Sequence, residues 1–369
     1  MSEGSTPGTL LLCLANEALR RGKHRTAASI AERAWRQAAG ESDEKLTVSA
    51  RAMLGIILCI SRRDREALPH LAAVVATPQR LTDDQFPART GVAYGHLIAS
   101  SVRSAQVELD ACLRLADEAV AWSERIRSVS LMISLRSERG RVHEARGELD
   151  RAIQDQDAAV ALRREQPGVG GYSFPDLAAR LAAYLVERAG PGDLERARAL
   201  LNECVDHPDL ISETSYRCGR ARAALATREG RWETAEEDLL DALAAAQSTE
   251  GAGPLLVLGD IAELLVSRGR LQDADRRLRE TAAEALNATS AVCESERVRL
   301  LDVLVRLRLA QARDAGSDEA HRMHLRARRA LARLRRSAER LARLGDRRWL
   351  AVAASRAEEL DPREDRAAG

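Results

Sequence analysis

Two short stretches with one shared pattern decide how this chain folds. Gly-Arg-Trp-Glu-Thr-Ala occupies residues 230–235, and Gly-Arg-Leu-Gln-Asp-Ala occupies residues 269–274. In each, a large apolar residue follows the glycine by two positions and an alanine follows it by five. Glycine suits the end of a helix because it adopts the left-handed backbone conformation without a steric penalty. Each stretch therefore predicts one helix before the glycine and a second helix after it.

The same pattern recurs along the chain at nearly regular intervals. Further copies stand at residues 21–27, 147–152 and 192–197, and degenerate copies lie near Asp64–Ala67 and Glu108–Cys112. The closing residue of each copy falls at 27, 67, 112, 152, 197, 235 and 274, so successive copies are 38 to 45 residues apart. A period of about 41 residues corresponds to one helical hairpin per repeat.

The composition favours helix throughout. The 369 residues include 57 Lys and Arg, of which only Lys23 and Lys45 are lysine, leaving 55 arginines. Aromatic residues make up 3% of the chain and hydrophobic residues 45%, so the apolar surface consists mainly of Ala and Leu. This composition excludes intrinsic disorder and disfavours a β-rich fold. We therefore expect an all-α chain.

Apolar residues at helical spacing place the individual helices. First helices of the repeats are predicted at Leu10–Arg21, Leu46–Ile60, Leu177–Arg188, Thr214–Arg228 and Leu255–Ser267. Beyond residue 289 the period breaks. There the pattern predicts a longer hairpin and a short capping helix, at Val292–Ala312, Asp318–Leu344 and Trp349–Leu360.

The repeats resemble the tetratricopeptide repeat (TPR). The resemblance rests on Gly-x-apolar-x-x-Ala followed by a second alanine seven residues on, as at Ala152 and Ala159 or at Ala235 and Ala242. The long period is similar to that of kinesin-light-chain-like repeats and of bacterial regulators of the maltose-activator type. The resemblance implies a TPR-like helical-hairpin solenoid, a right-handed superhelix of about seven hairpins with a C-terminal helical cap.

The sequence is accordingly divided into four segments. Residues 9–289 are expected to form the TPR-like repeats, and residues 290–360 the C-terminal hairpin and capping helix with a basic face. Residues 1–8 and 361–369 are expected to be disordered tails. Met1–Gly8 lacks the basic start of a signal peptide, so a cytoplasmic location is expected.

No residue pattern predicts catalysis or a cofactor. Gly168–Gly171 is glycine-rich but lacks the Lys-Ser/Thr of a phosphate-binding loop. His321 and His324 share a helix face without the further ligands of a metal site. The cysteines form no Cys-x-x-Cys pair and are predicted to be small buried residues: Cys13, Cys59, Cys112, Cys204, Cys218 and Cys293. We predict a protein that is not an enzyme, with no cofactor and no metal.

The TPR resemblance also implies that the first helix of each repeat lines a concave groove. The groove-facing candidates are Asn16, Ser137, Arg141, Arg217, Arg220, Thr227 and Glu263. The three arginines suit an acidic peptide, because guanidinium groups bind carboxylates through paired hydrogen bonds. We therefore predict a scaffold or adaptor that binds a protein or peptide partner in bacterial regulation or complex assembly. The alternative is that these residues are merely exposed on their helices.

The helix predicted at 318–344 carries the strongest local charge. Residues 321–348 contain eleven arginines against Glu339 and Asp346. Six of the arginines define the basic face: Arg322, Arg326, Arg329, Arg333, Arg336 and Arg340. An acidic protein partner, a nucleic-acid backbone and a solvated cap are all consistent with this face, whereas a membrane surface is disfavoured.

Two alternative functions follow from these observations. The protein could regulate through nucleic acid bound at the basic face, or it could be an activating or regulatory subunit of a separately encoded enzyme. A homodimer stays open as well, because the ends of a solenoid can pair between copies.

Overall fold

A computed structural model describes residues 7–21, 23–61, 63–77, 86–104, 107–247, 253–285 and 294–360. Across these residues the chain is helical, with seventeen helices and no strand. Of the tails predicted at residues 1–8 and 361–369, residues 1–6 and 361–369 lie outside this range, as does the boundary predicted between residues 289 and 290, whereas Pro7 and Gly8 belong to a helix. No helix in the described ranges is long and apolar enough to cross a membrane.

The helices follow one another in hairpins. Their bounds are α1 Pro7–Arg20, α2 His24–Gly40, α3 Glu44–Ile60, α4 Asp64–Val75, α5 Phe86–Ser104, α6 Leu109–Arg125, α7 Val129–Ala145, α8 Leu149–Glu165, α9 Phe174–Arg188, α10 Asp193–Glu203, α11 Ser212–Arg228, α12 Trp232–Gln247, α13 Gly253–Ser267, α14 Leu271–Ala285, α15 Glu294–Asp314, α16 Ser317–Arg343 and α17 Arg348–Leu360. The predicted helices agree with these bounds to within three residues.

The glycine turns have the predicted conformation. Gly230 and Gly269 both have a φ of 72°, in the left-handed region. At the end of α11, the Arg231 amide donates to the Ala226 carbonyl at 2.8 Å, and the Gly230 amide donates to the Thr227 carbonyl at 3.1 Å. These two bonds satisfy carbonyls that would otherwise lack a partner at the helix end. The glycine thereby ends the first helix and lets the chain reverse into the second.

Small apolar stripes form the core of each hairpin. On α12, Ala235, Leu239 and Ala242 are buried together with Val257 and Ile261 of α13. In the C-terminal hairpin, the predicted seam of α16 is buried, as is the facing stripe of α15. These residues are Ala327, Leu331, Leu334, Ala338 and Leu341 of α16, and Val298, Leu301, Val305 and Leu309 of α15.

The helices divide into two compact units. The first contains α1 to α6, α7 as far as Val142, and residues 168–171. The second contains the chain from His143 to Pro167 and from Tyr172 onward. In the first unit, a buried ion pair joins the start of α4 to α5, with Arg103 Nη2 at 2.6 Å from Asp64 Oδ1.

Four of the five described cysteines are buried as predicted. Cys59, Cys112, Cys204 and Cys218 are buried, whereas Cys13 is exposed, and all five are free thiols. The prediction is therefore wrong for Cys13. This residue lies on α1, and no described helix precedes α1 to cover that side.

Candidate functional site

The first helices of the second unit form a continuous inner layer. Helix α9 contacts α11, α11 contacts α13, and α13 contacts α15. We call the solvent-accessible charged surface of these helices the inner face, and define it by Glu187, Arg220, Asp260, Glu263, Arg299 and Arg306. The second helices α10, α12, α14 and α16 pack on one side of this layer. The exposed side chains of the layer therefore lie on its other side.

A chain of ion pairs crosses the inner face from α11 to α15. Arg220 pairs with Asp260, and Arg299 Nη1 lies 2.8 Å from Asp260 Oδ1. Arg299 Nη2 also lies 2.7 Å from Glu263 Oε2, and Arg306 Nη1 lies 3.1 Å from Glu263 Oε1. Three arginines and two carboxylates thus alternate across three helices.

Asp260, which pairs with two arginines of the inner face, is kept ionised. Burial alone would raise the pKa of Asp260, but the charges of Arg220 and Arg299 outweigh it and hold that pKa below its usual value. In return, the charge of Asp260 raises the pKa of Arg299. Asp260 and Arg299 are therefore both charged at neutral pH.

Glu187 on α9 differs from the other carboxylates of the inner face. Its side chain is exposed, and it forms no ion pair with a described residue. Partial burial by the surrounding protein and the charge of Glu144 raise its pKa, against the influence of Arg348, Arg299 and Arg228. Glu187 is therefore an exposed carboxylate of the inner face whose charge no ion pair offsets among the described residues.

The start of α17 lies beside the α7–α8 turn of the same unit. A Cβ atom on Gly147 would lie 3.4 Å from Cδ of Arg348. Arg348 Nε also lies 3.1 Å from Asp346 Oδ1. Burial would lower the pKa of Arg348, but Asp346, Glu144 and Glu187 raise it. Arg348 therefore places a cation close to Glu187.

The predicted groove residues of the second unit lie on or beside the inner face, and their charges are already paired. Arg217 pairs with Asp176, and Arg220 pairs with Asp260. Thr227 Oγ1 donates to the Ala223 carbonyl at 2.8 Å. The structure brings Arg220 and Glu263 into one chain of ion pairs, which the sequence did not indicate.

The predicted groove residues of the first unit differ in their exposure to solvent and in their contacts. Asn16 is exposed on α1, and Arg141 Nη1 lies 2.8 Å from Glu138 Oε2. The structure does not support Ser137 as a groove-facing residue, because its side chain is fully buried, with an exposure of 0%. It faces the helix interface of α7, so no partner can contact it from solvent.

Glu187, Asp260, Arg299 and Arg306 were not identified from the sequence. Arg299 and Arg306 are seven residues apart on α15, which places them on one helix face. That signal was available, but α15 lies after the break in the repeat period. The sequence therefore does not predict that α15 belongs to the inner layer.

A cleft lies on the outer side of the second unit, between α8, α9 and α10. It has a volume of about 440 Å³ and an apolar floor that includes Val160, Leu181 and Leu200. Two interhelical ion pairs close its rim, Arg164 with Glu203 and Arg196 with Asp157. The rim charges of this cleft therefore neutralise one another.

Comparisons with solved structures identify the fold. The chain resembles the apo form of RapI with a TM-score of 0.58 and 9% identity, covering 75% of this chain and 96% of that one. It resembles NprR in complex with its cognate peptide NprX with a TM-score of 0.55 and 12% identity, covering 87% of each chain. A Rap protein complexed with Competence and Sporulation Factor gives a TM-score of 0.52 and 11% identity, covering 97% and 98%.

These likenesses confirm the fold class, a solenoid of TPR-like helical hairpins. No protein-family model matches the sequence, and no curated protein matches it either. At identities of 9 to 12%, the resemblance extends to the fold and not to the ligand.

Proposed function

We propose that this protein is a non-catalytic regulator that binds an extended peptide, or an extended segment of a protein, on the inner face. The observation that carries the proposal is the chain of ion pairs from Arg220 to Arg306 on a solvent-accessible surface. Support also comes from the solved structures of similar fold, two of which are complexes with NprX or with Competence and Sporulation Factor.

The paired state of the inner face determines what a partner must supply. Arg217 and Arg220 each hold a carboxylate of the protein, so an acidic peptide would have to displace Asp176 or Asp260. Glu187, in contrast, needs no displacement, because it is exposed and has no ion pair among the described residues. A basic group of the partner would stabilise the ionised form of this carboxylate. We therefore expect the partner to carry a basic residue or a free amino terminus.

The test is a selection of short random peptides on the full-length protein. Selected peptides should be enriched in basic residues. Their affinity should fall in Glu187→Gln, which removes the charge that a basic residue contacts, and in Arg299→Ala, which breaks the ion pairs that hold Asp260 and Glu263 in place on the inner face. The loss should be about tenfold or more for each variant, because a hydrogen bond to a charged group contributes about 1.5–3 kcal/mol.

A matched control separates binding at the inner face from general damage. Arg196→Ala removes an arginine that is 48% exposed on the outer side, whereas Arg299 is 46% exposed on the inner face. Arg196→Ala loses one ion pair and Arg299→Ala loses two, so the free energy of unfolding of each variant is measured beside its peptide affinity. If selected peptides bind Arg196→Ala more weakly than they bind Arg299→Ala, the inner face is not the binding site.

The same selection separates the two kinds of partner. Enrichment of acidic peptides that depend on Arg217 and Arg220 would support the acidic partner considered from the sequence. It would contradict the role assigned to Glu187. A regulatory subunit of a separate enzyme would use the same surface, with the enzyme supplying the extended segment.

A further inference from the structure

The basic face of α16 is a straight stripe of arginines on the outside of the second unit. Arg322, Arg326, Arg329, Arg333, Arg336 and Arg340 are all exposed. Their spacing of four and three residues keeps them on one side of the helix, as the opposite side packs on α15. From the first to the last, the stripe extends about 27 Å at the rise of an α-helix.

Within the described part of the chain, four of these six arginines have no ion pair. Arg340 Nη1 lies 3.3 Å from Glu294 Oε1. Arg322, Arg326, Arg329 and Arg336 form no ion pair with any other described residue. Glu339 is the single acidic residue between Arg322 and Arg340 in the sequence. This contrasts with the arginines of the inner face, each of which is paired with a carboxylate.

The composition of the stripe distinguishes between a protein partner and a nucleic acid. Protein interfaces have an apolar centre in which aromatic residues are enriched and charged residues are depleted. Between Arg322 and Arg340 the exposed side of α16 has no aromatic residue, and its large apolar residue is Leu325. Nucleic-acid interfaces are instead polar and strongly basic. The lack of aromatic residues also argues against single strands, whose bases stack on aromatic rings.

We propose that the basic face binds the phosphate backbone of a nucleic-acid duplex without reading its bases. Phosphates of one strand follow one another at about 3.4 Å along the duplex axis, so the stripe matches the length of about eight of them. This activity is independent of the inner face. It would attach the peptide-binding unit to DNA or to double-stranded RNA.

The test is a salt titration with a labelled duplex. We expect the full-length protein to bind a duplex of about 30 base pairs, and its affinity to fall about 10³-fold between about 50 and 200 mM salt if six phosphates are contacted. In R322Q/R326Q/R329Q/R336Q, two contacts remain, and the same change in salt should cost only about tenfold. DNA and RNA duplexes of the same sequence form separate arms, which identify the natural polymer.

The control removes the same charge elsewhere. R21Q/R36Q/R276Q/R279Q changes four exposed arginines that are paired with Glu17, Glu32, Asp273 and Asp275 of the protein. This control should keep the affinity and the salt dependence of the unmodified chain. No binding at low salt, an equal loss in both quadruple variants, or equally tight binding of polyglutamate or of anionic vesicles would overturn the proposal.

Discussion

At the scale of the residue, the function of an arginine depends on what it contacts. Arg220 and Arg299 hold Asp260 between them, whereas Arg322 and Arg336 have no such carboxylate among the described residues. The sequence predicts that Arg220 lies on a first helix, because helical spacing shows it. It does not predict the pairing with Asp260, which lies 40 residues away and approaches only through the stacking of repeats.

Glu187 gives a prediction at this scale, based on its raised pKa. A carboxyl group with a folded-state pKa above its unfolded value favours folding most when it is protonated. Its contribution is therefore complete below the unfolded pKa and is lost as the pH rises through the folded pKa. Glu187→Gln has the same shape without the charge. We expect this variant to be more stable than the unmodified protein near pH 8, with a difference that shrinks toward acidic pH.

Urea-induced unfolding at several pH values measures this effect. Glu165→Gln on α8 is the control, because Glu165 is exposed on the outer side and forms no ion pair with a described residue. Equal pH profiles for the two variants would show that the inner face does not destabilise the ionised form of Glu187.

At the scale of the element, the glycine turns and apolar stripes are enough to locate most helices. The first helix predicted at Thr214–Arg228 is observed at Ser212–Arg228, because Gly230 fixes its end and Leu225 and Ala226 fix its buried side. The inner-layer role of α15 could not be predicted in this way. It depends on packing against α13 rather than on the repeat pattern, which ends before α15 begins.

The crossing of α3 and α4 gives a prediction about packing. A Cβ atom on Gly55 would lie 2.7 Å from Leu71 Cγ, so Gly55→Ala must displace the buried Leu71 side chain or separate the two helices. We expect a loss of about 1–3 kcal/mol in the free energy of unfolding, measured with urea. Gly40→Ala is the control, because no atom lies within 4 Å of its added Cβ. Removing that helical glycine should be neutral or should stabilise by up to about 1 kcal/mol.

At the scale of the whole molecule, the repeat period has a direct structural counterpart. Several contacts between repeats join residues 38 to 43 apart, such as Arg188 with Asp150 and Arg306 with Glu263. The sequence period predicts this offset, and with it the solenoid of hairpins that the solved structures confirm. The division into two units at Val142 was not predicted, because the repeats continue through it without a break in their pattern.

The central claim is that an extended peptide binds the inner face of the second unit. Amide hydrogen exchange of the full-length protein, with and without a selected peptide, tests it most directly. We expect the peptide to slow exchange in α9, α11, α13 and α15, and to leave the outer helices α10 and α12 unchanged. Protection confined to α10, α12 or α16, with no change in the inner-layer helices, would contradict the claim.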